Sequence, residues 1–128
     1  MSISNLPRIL IIEDEALIIL MLEDFLTEAG FRTAGVATTL ESALSLIETS
    51  DFDAALLDAN LAGVSSAPAA LALSSREIPF LVVSGYATSQ HNAAFAGGVH
   101  ISKPFEPKAL EQFTAYQNLR GIPNICEA

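Results

Sequence analysis

The chain has 128 residues, with 15 acids against 6 bases and a net charge of −9. That length holds one domain around one hydrophobic core. The shortage of Lys and Arg argues against a nucleic-acid or anionic-membrane partner, since such binding depends on neutralising phosphates. Although 51% of the residues are hydrophobic, no apolar run approaches the roughly 18 residues that span a bilayer. The start, "MSISNLPRIL", lacks a basic region followed by a cleavable apolar segment, so no signal peptide is expected. The lone Cys126 cannot form an internal disulfide and has no Cys or His neighbours to suggest a metal site. A reduced, cytoplasmic setting is the simplest expectation.

In chain order, "RILII" (8–12) is almost wholly aliphatic, as a strand buried on both faces should be. "ALIILMLEDFLTEAG" then has helical spacing. Leu17, Ile18, Met21, Leu22, Phe25 and Leu26 share an inner face, Glu23, Asp24, Thr27 and Glu28 turn outward, and Gly30 ends the helix. "RTAGVA" reads as a second, weaker strand. "TTLESALSLIETS" opens with Thr38-x-x-Glu41, a capping-box pattern, and carries an inner stripe of Leu40, Ala43, Leu44 and Ile47. "DAALL" is the third strand. "SSAPAALALSS" reads as a helix with Ser65 or Ser66 as its cap and Pro68 early. "IPFLVVSG" is the fourth strand, "TSQHNAAFAGG" a short helix closed by Gly97-Gly98, and "VHIS" the fifth strand. "EPKALEQFTAYQNLRG" is the last helix, from Pro107 to Gly121. Strand and helix alternate five times, which predicts a parallel sheet with helices on both faces. Ligands of such folds bind beyond the carboxyl ends of the strands.

The residues just after each strand are therefore the site candidates. They are Glu13, Asp14 and Glu15 after the first, Asp58 after the third, Ser84, Gly85 and Tyr86 after the fourth, and Lys103-Pro104 after the fifth. Each has an ordinary explanation when taken singly. Acids favour a helix N-terminus, an Asp can make an Asx-turn and a Ser a cap, and a Lys before a Pro is usually an exposed loop residue. Taken together they gather carboxylates, a hydroxyl and an ammonium on one rim. Clustered carboxylates repel one another and call for a cation. Hard oxygen ligands suit Mg²⁺. A carboxylate beside Mg²⁺ can attack a phosphoryl group and give an acyl phosphate. Lys103 and Ser84 are the kinds of donor that the transferring oxygens need.

With Glu13-Asp14, Asp58, Ser84 and Lys103-Pro104 in this order, the chain resembles the receiver domain of two-component response regulators. "ILIIEDE", "LLDANL" and "SKPF" look like family segments. The resemblance implies a doubly wound, flavodoxin-like α/β fold with a five-stranded parallel sheet in the order 2-1-3-4-5. It covers about residues 8–119 of a single domain, 1–128, with no output domain. It implies Asp58 as phosphoacceptor and Mg²⁺ held by Glu13, Asp14, Asp58 and the backbone carbonyl of Asn60. It also implies a switch hydroxyl on Ser84, a phosphoryl contact from Lys103 and a cis Lys103–Pro104 bond.

Certain traits depart from the common pattern. The loop after Asp58, "ANLAGVSSAP", lacks the Pro that many receivers carry just after the acceptor. Gly-Tyr follows Ser84, and the interval from Ser84 to Lys103 is short. His100 stands where many receivers place an inward-swinging aromatic. These traits resemble the subclass named for a FATGUY-type motif, here degenerate as "LVVSGY", whose members are often paired with HWE-type histidine kinases. Ser84, Tyr86 and His100 are the switch candidates. Tyr86 reads equally as a half-buried loop aromatic. His91 and His100 have less favoured readings as phosphotransfer or metal groups, and Phe113 and Tyr116 read as core or rim residues.

The expected function is that of a phosphoacceptor signalling protein, not a turnover enzyme, which assists its own phosphorylation and dephosphorylation. Its donor is a sensor histidine kinase or a phosphotransfer protein, and its output a contact with a downstream protein. One rival is a pseudo-receiver that binds partners without phosphorylation, although no acceptor, acid pair or Lys is missing. Another is a flavodoxin-like flavin protein, which would want a Gly/Ser/Thr-rich anion cradle where this chain has "EDEA".

Overall fold

The computed structural model describes residues 6–84 and 99–102. In chain order the elements are β1 (Arg8–Ile12), α1 (Ala16–Glu28), β2 (Arg32–Ala37), α2 (Leu40–Thr49), β3 (Ala54–Asp58), β4 (Asn60–Leu61), β5 (Val64–Ser65), α3 (Ala67–Ser75), β6 (Phe80–Ser84) and β7 (Val99–Ser102). Five strands form one sheet in the order β2-β1-β3-β6-β7, with all neighbours parallel. Counting only the strands of that sheet, this is the expected order 2-1-3-4-5. The expected helices over "TSQHNAAFAGG" and "EPKALEQFTAYQNLRG" lie outside the described residues.

Residue parity along the central strands explains the doubly wound layers, because successive side chains point to opposite faces. Leu10, Ile12, Ala55, Leu57, Phe80 and Val82 pack with Ala43 and Ile47 of α2 and Ala69, Ala70 and Leu73 of α3. Ile9, Ile11, Ala54, Leu56 and Leu81 pack with Leu22 and Leu26 of α1. Strands used on both faces cannot alternate apolar with polar residues, so β1 and β3 read as continuous aliphatic runs. Among the described residues no helix is long and apolar enough to cross a membrane.

The helix faces and caps required corrections. In α1, Leu22 and Leu26 are buried, and Ile18 and Phe25 pack partly against the core. Leu17 and Met21, expected inside, are 76% and 43% exposed. "ALIILML" is apolar on every side, so its spacing could not set the rotation of the helix. The N-cap of α2 is Thr39, not Thr38. Its hydroxyl accepts the Ser42 N–H at 3.0 Å, and the Ser42 hydroxyl accepts the Thr39 N–H at 3.2 Å. β2 runs through Ala37, which moves the cap one residue on and leaves Glu41 in the first turn, where the helix dipole favours an acid.

Two helices end in the same hydrogen-bond pattern with different residues. After α1, Gly30 N–H donates to Thr27 C=O and Phe31 N–H to Leu26 C=O, with Gly30 at φ +91°. After α3, Glu77 N–H donates to Ser74 C=O and Ile78 N–H to Leu73 C=O, with Glu77 at φ +59°. Both are Schellman closures, which require a left-handed residue at that position.

Candidate functional site

The carboxyl ends of the strands share one edge of the sheet. Ile12 stands level with Leu57, Asp58 with Val83, and Ser84 with Ser102. Beyond Ile12, Glu13 extends the ladder by one step, its N–H donating to Ala37 C=O at 2.9 Å. That step holds Glu13 over the sheet, where it is 2% exposed. Its Oε2 accepts the Glu15 N–H at 3.2 Å. Asp14 is half-buried and Glu15 exposed.

Asp58 is the last residue of β3 and is 6% exposed. Its Oδ1 accepts the Asn60 N–H at 3.0 Å, which makes the Asx-turn typical of an Asp at a strand end. One carboxylate oxygen from each of Glu13, Asp14 and Asp58 lies within 4.8 Å of the other two. With an effective dielectric near 20, two unit charges about 5 Å apart repel by roughly 3 kcal/mol. An arrangement of hard oxygens with concentrated negative charge fits a small divalent cation such as Mg²⁺.

Ser84 closes β6, and β7 ends beside it at Ser102. The next residue in sequence, Lys103, lies outside the described residues, as do Pro104, Tyr86, His91, Phe113, Tyr116 and Cys126. The expectations placed on them, including the cis Lys103–Pro104 bond, lie there too. His100 takes a position within β7, in register with Val82.

The loop after Asp58 is more ordered than its sequence suggests. β4 and β5 form a small antiparallel hairpin, Asn60 opposite Ser65 and Leu61 opposite Val64. Ala62 and Gly63 make its two-residue turn, at φ +52° and +91°. Two-residue hairpin turns with positive φ at both positions usually announce themselves as Asn-Gly or Asp-Gly. Ala-Gly hid this one, and strands of two residues leave no periodicity to read. The Asn60 side-chain oxygen accepts the Gly63 N–H at 2.7 Å.

Ser65 or Ser66 was expected as the helix cap, and the structure gives the two different roles. Ser66 does occupy the N-cap position of α3, but its side chain caps nothing. Its hydroxyl donates instead to the Asp58 carbonyl at 2.6 Å. The Ser65 hydroxyl receives the Ala67 N–H at 3.2 Å.

A doubly wound parallel sheet with a carboxylate triad at its carboxyl edge defines a class, and the family comparison agrees with it. Residues 9–115 match the model of the response regulator receiver domain, and the chain belongs to that family. Among solved structures, it is similar to SdrG from Sphingomonas melonis Fr1, with 39% identity, a TM-score of 0.75, and coverage of 90% of this chain and 97% of that one. The BeF3-activated conformation of SdrG, there assigned to Pseudomonas melonis Fr1, matches with 38% identity, a TM-score of 0.71 and the same coverage. A CheY-like receiver domain protein from Methanospirillum hungatei JF-1 matches with 27% identity and a TM-score of 0.80, over 91% of this chain and 97% of that one. No curated protein matches the chain.

Proposed function

We propose that Asp58 accepts a phosphoryl group from a phosphohistidine in a two-component relay. A carboxylate oxygen of Asp58 bonds to phosphorus as the donor's P–N bond breaks, and the imidazole leaves with the electron pair. The carboxylates of Glu13, Asp14 and Asp58, with the Asn60 carbonyl, would hold Mg²⁺. When bound, the cation supplies positive charge against the transferring oxygens. The Ser84 hydroxyl and the Lys103 ammonium are the other donors in this reading. The β3 strand end restricts where the Asp58 carboxylate can be, which favours an in-line approach.

The observation that carries this proposal is the buried Asp58 carboxylate, placed within 4.8 Å of two further carboxylates at the sheet edge of a receiver-family chain. The donor is a sensor histidine kinase, of the HWE type in the subclass reading, or a phosphotransfer protein. Phosphorylation biases a two-state surface that a downstream protein reads. Similarity to SdrG, for which a BeF3-activated conformation exists, supports a switch of this kind.

The test is an amide NMR spectrum in Mg²⁺ before and after beryllofluoride, a mimic of the aspartyl phosphate. Shifts at Asp58 and at residues next to Ser84, absent in Asp58→Asn, are expected. An unchanged wild-type spectrum at saturating Mg²⁺ and beryllofluoride would sink the proposal.

A further inference from the structure

Among the described residues, the buried polar or charged side chains are Glu13, Asp58 and Ser66. Two are acids of the triad. Ser66 is the most enclosed, at 0% exposed, and a buried hydroxyl requires a hydrogen-bond partner. Many residues could serve as an N-cap, so the partner it has chosen is informative.

Ser66 holds two consecutive carbonyls. Its hydroxyl donates to Asp58 C=O at 2.6 Å, and its N–H donates to Ala59 C=O at 3.0 Å. The opposite ends of the same two peptide units are also held. Ala59 N–H donates to Val83 C=O at 2.9 Å, and Asn60 N–H donates to Asp58 Oδ1 at 3.0 Å. Ser66 is itself anchored, because its carbonyl accepts the Ala69 and Ala70 N–H groups at the start of α3. Both peptide planes between the acceptor and Asn60 are thus fixed at both ends, with Ser66 at the carbonyl side of each.

We infer that Ser66 is a positioning residue for the metal-binding site, acting through the Asp58–Ala59–Asn60 backbone. This rests on the proposed function, in which the Asn60 carbonyl is a metal ligand. Rotation of either peptide plane would redirect that carbonyl and the Asp58 side chain. Residues that orient a ligand from behind commonly change metal affinity by about 10–100-fold when altered.

The test uses the whole chain and Mg²⁺ alone, titrated by NMR, with urea unfolding in EDTA as a separate measure of the fold. Wild type is expected to bind. Ser66→Ala is expected to bind about tenfold more weakly, beyond what its unfolded fraction accounts for. Ser66→Cys, close in size but a weak donor, should fall between them. A hydroxyl that serves only α3 or the fold would lower urea stability and leave the affinity of the folded protein unchanged. That result overturns the inference while leaving the function intact. Wild type that fails to bind Mg²⁺ overturns both. Should Ser66→Ala not fold, Ser66→Cys is judged alone, and wild-type affinity in it refutes the inference.

Discussion

Replacing Asp58 by Asn tests the electrostatics of the site without requiring any partner. The substitution is nearly isosteric, and the Asn oxygen can still accept the Asn60 N–H that Asp58 Oδ1 accepts at 3.0 Å. It removes one charge from a triad whose oxygens lie within 4.8 Å of one another. That deletes two like-charge pairs, each repelling by about 3 kcal/mol at an effective dielectric near 20. Asp14 is half-buried, and solvent and salt screen the pair it forms. Asp58→Asn should therefore stabilise the metal-free protein by about 1–3 kcal/mol, less than the sum of the pairs. At about 4 °C per kcal/mol for a domain of this length, Tm should rise by roughly 4–12 °C.

Mg²⁺ should reverse the ranking of benefit. Wild type gains RT ln(1 + [Mg²⁺]/Kd) on binding, and the variant should gain far less. The assay is urea unfolding followed by circular dichroism, in EDTA and in a Mg²⁺ series. A variant no more stable than wild type in EDTA would refute the repulsion argument. An equal Mg²⁺ gain in both proteins would refute the placement of the cation at these carboxylates.

The remaining predictions concern the frame. Glu77→Gly should stabilise the protein by about 1 kcal/mol, because a non-glycine residue in the left-handed region is strained. Gly30→Ala, at the matching position after α1, should cost about as much, so the two changes should move the urea midpoint in opposite directions. A shift of the same sign in both would contradict the Schellman assignment. Leu56→Ala should cost about 2–5 kcal/mol by opening a cavity at the α1 face of the sheet, since Leu56 is 1% exposed among Ile9, Ile11, Leu22 and Leu26. A loss below 1 kcal/mol in urea unfolding would mean that this layer collapses around the gap.

Much of the frame was legible because it is written in local pattern. β1, β2 and β7 have the bounds expected from their apolar runs, and Gly30 ends α1 as expected. The carboxylates that meet, Glu13, Asp14 and Asp58, are among those singled out from their places after apolar runs, while Glu15, singled out with them, is exposed. What pattern could not reveal lies where local preference is weak or shared. Thr38 and Thr39 are equally good caps, and strand length decided between them. Ser65 and Ser66 are likewise interchangeable by propensity, yet the Ser65 hydroxyl receives the Ala67 N–H at the start of α3 and the Ser66 hydroxyl donates to the Asp58 carbonyl.

The sequence by itself determined the alternation of strand and helix over the described residues, the two-sided burial of β1, and an acid at each of two strand ends. These follow from side-chain period and burial, which act over a few residues at a time. Only the tertiary structure decided which face of α1 lies against the sheet, leaving Leu17 and Met21 outside. Only it folded Asn60–Ser65 into a hairpin behind Asp58, and set Ser66 against the Asp58 carbonyl. Those outcomes depend on pairing between segments far apart in the chain or on backbone direction. A linear pattern of apolar and polar residues carries no record of either.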